Sequence, residues 1–219
     1  MRDYDEIYAI ANDRKSRTVE GLLSKPLSPD TLAATSDHRW LATMAKCIFQ
    51  AGFNWKVVEA KWNGFEAAFE GFEPARVGFY CDEDLDRLLS DERIVRNGAK
   101  VVAVIDNTRF ILEIARDHSS AGAFFAAWPN NDFIGLLRLM SKRGARLGGT
   151  TGQRMLRAMG RDGFILSTDV ATRLIAEGIV AKQPSSQSDM KAVQAAFNTR
   201  TEQSGCSLTE ISQTLAYSV

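Results

Sequence analysis

Three features of the sequence predict an all-α fold. Apolar residues recur at spacings of three and four along most of the chain, which is the period of one helical face. Asp, Ser or Thr precedes several of these stretches and Gly or Pro follows them, as is typical of helix starts and stops. No second strand-like alternation accompanies the short apolar run at residues 164–166. With 219 residues, 45% of them hydrophobic, the chain is long enough to bury a core as one large domain or two closely packed lobes.

The first half of the chain predicts five helices. Residues 5–23 show an amphipathic pattern that two prolines then interrupt. A second helix begins with Asp37 as its cap, and a glycine-containing break over 50–54 separates it from a third. The fourth opens at Asp82, and a link over 94–97 leads to a long fifth helix. The faces that we expect to be buried are Trp40, Met44, Cys47 and Ile48 in the second helix, Trp55, Val58, Trp62, Phe65 and Phe69 in the third, and Val101, Ile105, Thr108, Leu112 and Ala115 in the fifth.

The centre of the second half predicts two helices joined by a glycine-rich turn. Asp132 is the expected cap of the first helix, and Gly144 is expected to end it in the left-handed conformation. After a turn over 144–151, the second helix is expected to start near Gly152 and to end at Gly160. Their apolar faces are Ile134, Leu137 and Met140 in the first and Met155, Leu156 and Met159 in the second.

Three further helices are predicted after this pair. Thr168 or Asp169 caps the first of them, and Ser188 or Asp189 begins the next. The sequence Ser207-Leu208-Thr209-Glu210 is a capping box that opens the last helix.

The stretch from residue 133 to residue 161 carries an unusual charge. It contains seven basic residues and no acidic one, although the whole chain has a formal net charge of zero. The basic residues are Arg138, Lys142, Arg143, Arg146, Arg154, Arg157 and Arg161. Such local asymmetry indicates a polyanion partner, and the backbone N–H groups of a glycine hairpin form a phosphate site that reads no base sequence. The alternative is an ordinary helix turn with a solvated basic face.

Composition excludes several classes of protein. No apolar run approaches the ~18 residues of a membrane span, and the N-terminus lacks the apolar stretch of a secretory signal. The three cysteines are scattered and odd in number, as is typical of a reducing compartment. We therefore expect a cytoplasmic protein. The two histidines have no partner at ligand spacing, so no metal site is predicted, and acid–base chemistry falls to carboxylates.

Three motifs, in matching order and spacing, resemble the 3-methyladenine DNA glycosylase I family of the helix-hairpin-helix DNA glycosylase superfamily. FQAGFNW at 49–55 is similar to the QAG-x-x-W element of that family. IVRNGAK at 94–100, with NTR at 107–109, resembles its IIRN-x-x-K…NAR block. KRG at 142–144 with GTT at 149–151 resembles its KRG…GTT hairpin. The resemblance covers about residues 38–160.

The resemblance implies a fold and an activity. It implies an all-α, helix-hairpin-helix glycosylase-like fold with two helical lobes and the active-site cleft between them. We expect residues 1–219 to form a single glycosylase-like unit whose helix-hairpin-helix motif spans about 133–160. The implied function is base-excision repair: the enzyme flips a damaged, alkylated (3-methyladenine-like) base out of double-stranded DNA and hydrolyses its N-glycosidic bond. We expect a monomer that needs no cofactor and no membrane.

The resemblance also implies roles for individual residues. These are Asp169 as the catalytic carboxylate, Cys47 and Trp55 as the base pocket, Gln50, Gly52 and Phe53 as the plug that fills the gap left by the extruded base, and Arg146, Gly148, Gly149, Thr151 and Gly152 as the phosphate grip. Some superfamily members use a lysine at the start of the second hairpin helix as a Schiff-base nucleophile. The matching residue here is Gln153, so the resemblance implies a monofunctional enzyme.

Each role has a structural alternative. Asp169 is either catalytic or the cap of its helix, and Phe53 is either a wedge or a buried loop residue. Trp55 either stacks on the flipped base or belongs to the core. Arg96 and Lys100, with Asn97, either line the DNA face or bridge helices. For the whole protein, the alternative is a DNA-binding or damage-recognition protein without excision.

Two departures from the family bear on these expectations. The family's base-recognising glutamate corresponds to Cys47, whose thiol is a poor hydrogen-bond acceptor for a methylated adenine. The family's structural zinc is held by Cys and His near both ends. Here residues 1–36 contain neither, and only Cys206 follows residue 161.

We therefore predict that the purified protein carries no stoichiometric zinc. Because no metal is expected to hold the termini, a chelator should leave the thermal unfolding midpoint unchanged. Elemental analysis that found about one zinc per chain would contradict this prediction.

Overall fold

The computed structural model describes residues 1–219, and every regular element in it is helical. The all-α prediction is confirmed. The α-helices are α1 (Tyr4–Lys15), α2 (Pro29–Ala33), α3 (Asp37–Gln50), α4 (Trp55–Ala60), α5 (Trp62–Ala68), α6 (Pro74–Val77), α7 (Asp82–Ser90), α8 (Gly98–His118), α9 (Ala121–Ala127), α10 (Phe133–Arg143), α11 (Gly149–Ala158), α12 (Thr168–Ala176), α13 (Gln187–Ser204) and α14 (Leu208–Tyr217). Short 3-10 helices occur at Glu20–Leu22, Glu70–Phe72 and Asn130–Asp132. None of the helices is long and apolar enough to cross a membrane.

The chain divides into two compact units, and the division passes through α10. Unit 1 comprises Met1–Leu27, Trp128–Leu136 and Gly160–Val219, and unit 2 comprises Ser28–Ala127 and Leu137–Met159. In unit 1, the buried rings of Phe133 and Phe197 both pack against Phe164, with centroid distances of 4.9 and 4.2 Å.

The core of unit 2 is built around aromatic rings. Phe65, Phe69 and Phe72 are fully buried, and Trp62 packs against them with ring centroids 5.5 Å from both Phe65 and Phe72. The predicted apolar stripe is thus confirmed for most of its members. Trp55 is the exception, since 47% of its surface is exposed. The predicted stripe assumes one continuous helix, whereas the chain breaks at Lys61 into α4 and α5.

The predicted face of α8 is also only partly buried. Val101 and Thr108 are inside, but Leu112 is 41% exposed, while Phe110 and Ile111 are buried instead. Helix α8 packs against α3, α6, α7 and α9, so its buried surface is a wide band rather than a single stripe.

Several predicted helix boundaries are wrong. Helix α1 ends at Lys15, not at residue 23, because Ser16 takes a left-handed conformation with φ of 52°. Asp37 is the first residue of α3 rather than its cap, and its carboxylate accepts the N–H of Ala121 at 2.7 Å. Helix α13 starts at Gln187, before the predicted Ser188 or Asp189. The Ser186 hydroxyl caps it.

The hairpin between α10 and α11 differs from its prediction in two respects. Gly144 is not left-handed. It is instead closely packed, since a Cβ there would lie 2.6 Å from Cδ1 of Leu147. The residue of this turn that does have a left-handed backbone is Arg146, with φ of 57°. Helix α11 begins at Gly149, three residues before Gly152, because the extended Gly148 serves as its N-cap.

The first and last segments of the chain meet in unit 1 through an ionic network. The Glu177 side chain is only 2% exposed and pairs with Arg2 at 2.8 Å and with Arg173 at 3.5 Å. Arg173 also donates to the Ser218 hydroxyl at 2.8 Å. Arg200, which is fully buried, lies close enough for the Glu177 charge to act on its pKa.

Candidate functional site

A cavity of about 220 Å³ opens in unit 2 where the end of α3, the following loop and the start of α11 come together. Of the residues predicted for the site, Cys47, Gln50, Gly52, Trp55 and Thr151 line it. Ala51, Thr150 and Arg154 complete the lining and were not assigned to the pocket from the sequence. Residues that lie far apart along the chain therefore share one cavity.

Cys47 contributes a neutral thiol to the cavity wall. Its residue is 9% exposed, and burial raises the pKa of the thiol from 9.0 to about 11. The positive charges of Lys46 and Arg154 act in the opposite direction but are outweighed. Very little thiolate is present at neutral pH, so Cys47 is a polar, uncharged wall residue rather than a nucleophile.

Trp55 presents its ring at the rim of the cavity rather than in the core. Cζ of Arg154 lies 5.1 Å from the centroid of that ring, which is a cation–π arrangement. Arg154 is three residues after Thr151, so both side chains project from one face of α11. The three-residue spacing from Thr151 is visible in the sequence and indicates that Arg154 shares its helix face. That this face of α11 lines the cavity follows only from the packing of α11 against α3.

The end of α3 and the loop that follows it are held in place by three hydrogen bonds, which the side chains of Gln50 and Lys100 donate. Nε2 of Gln50 donates to Oε1 of Glu59 at 3.0 Å, and Nζ of Lys100 donates to the carbonyl oxygens of Phe49 at 3.0 Å and Ala51 at 2.7 Å. Of the two alternatives for Lys100, the structure therefore supports a bridge between helices. Phe53 is 44% exposed, which excludes the alternative of a buried loop residue.

Two glycines, one in this loop and one in the hairpin, have left-handed backbone conformations and no atoms packed against them. Gly52 has φ of 65° and Gly149 has φ of 56°, and a Cβ at either position would meet nothing within 4 Å. Gly149 is exposed, and no side chain caps the first turn of α11. The N–H groups of that turn are therefore available to an anion.

The rest of the hairpin is shaped by close packing and by α8. Asn107 is fully buried; its amide donates to the Ala145 carbonyl at 2.9 Å and accepts the Ala145 N–H at 2.8 Å. Gly152, predicted as part of the phosphate grip, is buried against the carbonyl of Leu147, so its contribution is the close approach of loop and helix. Arg146 is exposed beside this turn.

The seven basic residues of the 133–161 stretch do not form one surface. Arg161 is only 3% exposed and donates to Asn130 at 2.5 Å and to the Asp162 carbonyl at 2.8 Å. Arg143 pairs with Glu113 at 2.8 Å. The positive charge that this segment can present to a polyanion is therefore smaller than its seven basic residues suggest. Its exposed members that take part in no ion pair are Arg138, Lys142, Arg146 and Arg154.

Asp169 lies in unit 1, in the first turn of α12. The Ser167 hydroxyl accepts the N–H of Val170 at 3.2 Å and caps this helix, so the cap alternative for Asp169 is wrong. Asp169 is exposed, and no hydrogen bond or ion pair engages its carboxylate. Gln153, at the position where some glycosylases carry a lysine, is 4% exposed. No group of three or more His, Cys, Asp or Glu side chains is arranged to hold a metal ion.

A model of the methyladenine glycosylase family matches residues 32–183. No curated protein sequence gives a significant match. Among solved structures, the chain is similar to 3-methyladenine DNA glycosylase I from Staphylococcus aureus, with 23% identity, 63% of this chain and 80% of that chain covered, and a TM-score of 0.52.

A second group of solved structures is similar to this chain over almost its whole length. The 8-oxoguanine DNA glycosylase from Methanocaldococcus jannaschii shares 15% identity over 97% of this chain and 92% of its own, with a TM-score of 0.58. The 8-oxoguanine glycosylase/lyase from that organism, in complex with a 15mer DNA containing 8-oxoguanine, shares 13% identity over 97% and 96%, with a TM-score of 0.54. The helix-hairpin-helix glycosylase-like fold is thereby confirmed.

Proposed function

Because the chain belongs to the methyladenine glycosylase family and is therefore a DNA glycosylase, an N-glycosyl hydrolase of base-excision repair, we propose that it flips a damaged base into the cavity beside Cys47 and Trp55. The observation that carries this proposal is the shared cavity: residues from α3, its loop and α11 converge on one space. A flipped base needs such a pocket because its target bond is unreachable inside the duplex.

The loop after α3 is the proposed plug of the duplex. Phe53 is a large exposed ring on a loop that Lys100 ties to α8, and it would compensate for part of the unstacking energy when the base leaves. Trp55, also exposed at the cavity rim, would stack on the extruded base. The first turn of α11, with Arg146 beside it, would hold a backbone phosphate.

Asp169 is the proposed catalytic carboxylate. As the bond between C1′ and the base nitrogen breaks, its electron pair leaves with the base and the sugar becomes an oxocarbenium ion. The negative charge of Asp169 would stabilise that cation and orient the water that adds to C1′. The proton that this water releases passes to the departing base, or to solvent where the base leaves already neutral. An exposed carboxylate that takes part in no other hydrogen bond is free for this role.

The proposed reaction leaves an abasic site without cutting the strand. A lesion-containing duplex should yield free base and alkali-labile sites, and borohydride should trap no covalent complex, because Gln153 provides no amine. A trapped complex would contradict monofunctional hydrolysis. We also propose that the enzyme acts as a monomer in the cytoplasm, a location supported by its three free cysteines.

Replacing Gly149 by Asp is expected to weaken duplex binding by about tenfold or more. The change places a side chain and a negative charge where a phosphate would approach, so the slope of log K against log salt should also fall by about one. The measurement is a salt titration by fluorescence anisotropy on undamaged duplex DNA.

Gly178→Asp is the matched control for this experiment. Gly178 is also exposed, has φ of 70°, and a Cβ there would meet nothing within 4 Å, so backbone strain and added charge are the same. Equal loss of binding in both variants would show that general repulsion, rather than the hairpin, accounts for the effect.

A further inference from the structure

The charged groups around the cavity do not suit a positively charged base. No Asp or Glu lines it. The carboxylate that contacts a lining residue is Glu59, which binds the Gln50 amide and is paired with Lys46 at 2.8 Å. Alkylation at N3 of adenine or at N7 of guanine in DNA, which gives 3-methyladenine or 7-methylguanine, produces a cationic base. A buried cation without a carboxylate partner is strongly disfavoured.

The uncompensated charge at the cavity is positive. The guanidinium of Arg154 lies over the Trp55 ring, 5.1 Å from its centroid, and both residues line the cavity. Lys46 is neutralised by Glu59, and Cys47 remains a neutral thiol because burial raises its pKa to about 11. The net effect of these groups is to repel a cationic base and to attract an oxygen that carries partial negative charge.

The polar atoms of the lining form a pattern of donors beside one acceptor. Arg154 and the hydroxyls of Thr150 and Thr151 are able to donate. Gln50 has its amide nitrogen committed to Glu59, so its Oε1 is left as the acceptor. A base edge that carries a carbonyl next to a ring N–H, called a lactam edge, matches this pattern. Its carbonyl oxygen would accept from the donors, and its N–H would donate to the acceptor.

From these observations we propose that the cavity selects an uncharged lesion base with a lactam edge over a cationic alkylated base. The inference rests on the proposed function, since it concerns the base that is flipped into this cavity. Deaminated bases such as hypoxanthine and uracil carry a lactam edge, and so does the oxidised base 8-oxoguanine. Cys47, Gln50 and Arg154 are its specificity determinants.

The test is single-turnover excision from a panel of duplexes that each contain one lesion: hypoxanthine, uracil, 8-oxoguanine, 7-methylguanine or 3-methyladenine. We expect the acceleration over spontaneous release to be about 10- to 100-fold larger for at least one uncharged lactam base than for either cationic base, the scale of a hydrogen bond to a charged group. Comparing the hypoxanthine and uracil duplexes with the 8-oxoguanine duplex shows whether the preferred lactam base is a deaminated or an oxidised one.

Arg154→Glu gives the charge test without disturbing the core, because Arg154 is exposed. It should lower the ratio of lactam to cationic excision by about tenfold or more. The control is Arg138→Glu, which makes the same charge change at another exposed position of unit 2 and should leave the ratio unchanged. Loss of general DNA affinity cancels in this ratio.

The outcomes are distinguishable. Preferential release of 3-methyladenine or 7-methylguanine, or a ratio that Arg154→Glu does not change, overturns the selectivity while the glycosylase function stands. Release of no base from any duplex overturns the proposed excision itself, and the selectivity with it.

Discussion

Replacing Asp169 by Asn is expected to slow base excision by about 10²–10³-fold, the usual scale for the loss of one electrostatic catalytic group. The substitution keeps the size of the side chain and removes the charge that would stabilise a cationic sugar. Folding should be almost unaffected, within about 0.5 kcal/mol, because the carboxylate is exposed and Ser167 caps the helix. Single-turnover excision and lesion-duplex affinity, measured on the same preparation, separate catalysis from binding.

Asp5→Asn is the matched control for Asp169→Asn. Asp5 is the second residue of α1, as Asp169 is of α12, and it is likewise exposed. The control therefore removes the same charge from the same position of a helix N-terminus, and its excision rate should equal that of the wild type. If wild type and Asp169→Asn both bind lesion duplexes and neither releases a base, the protein is a damage-recognition protein without excision.

Replacing Glu177 by Gln is expected to destabilise the protein by about 3–5 kcal/mol, the typical loss when one partner of a buried ion pair is removed. Its side chain is 2% exposed and is in contact with Arg2 and Arg173. Nε and Nη2 of the fully buried Arg200 make no hydrogen bond, so its charge depends on Glu177 for compensation. Thermal unfolding should shift downward by roughly 6–20 °C for a chain of this size.

The pH dependence of this effect has a definite sign. Burial raises the pKa of the Glu177 carboxyl, but the hydrogen bonds and charge of Arg2 outweigh it, so the pKa lies below its ordinary 4.5. The carboxylate's contribution is fully present above that ordinary value and is lost as pH falls through the lower, folded-state value. The difference in unfolding free energy between wild type and Glu177→Gln should therefore shrink below about pH 4.5.

Glu113→Gln is a control that breaks an exposed pair. Glu113 pairs with Arg143 at 2.8 Å, but the two side chains are 52% and 39% exposed, so a loss of less than about 1 kcal/mol is expected. Equal destabilisation in the two variants would contradict the special role assigned to burial at Glu177.

Local sequence signals predicted the helices well and their first residues less well. Spacing and capping residues located α3, α8, α10 and α14, since these signals act within a few residues. Where a serine precedes an acid, as at Ser167 and Ser186, the hydroxyl reaches the third amide of the helix and the acid lies inside the first turn. Assigning the start to Thr168 or Asp169 in α12, and to Ser188 or Asp189 in α13, therefore placed it inside the first turn rather than at the preceding serine.

The site was predictable where a motif names the residue and unpredictable where tertiary packing supplies it. Cys47, Gln50 and Trp55 were assigned from the resemblance and do line one cavity. Arg154 and Thr150 were missed because no local pattern reveals that α11 packs against α3. The exposure of Trp55 was equally hidden, since it follows from the break at Lys61.

The anchoring of Ala145 by Asn107 determines whether the hairpin can be moved to another protein. The turn between α10 and α11 is held at both its N–H and its carbonyl by a side chain from α8, about forty residues earlier in the chain. A peptide or graft that contains only residues 133–160 would lack this anchor. The hairpin is therefore not a portable DNA-binding cassette, and a working transplant would have to bring with it the segment of α8 that carries Asn107.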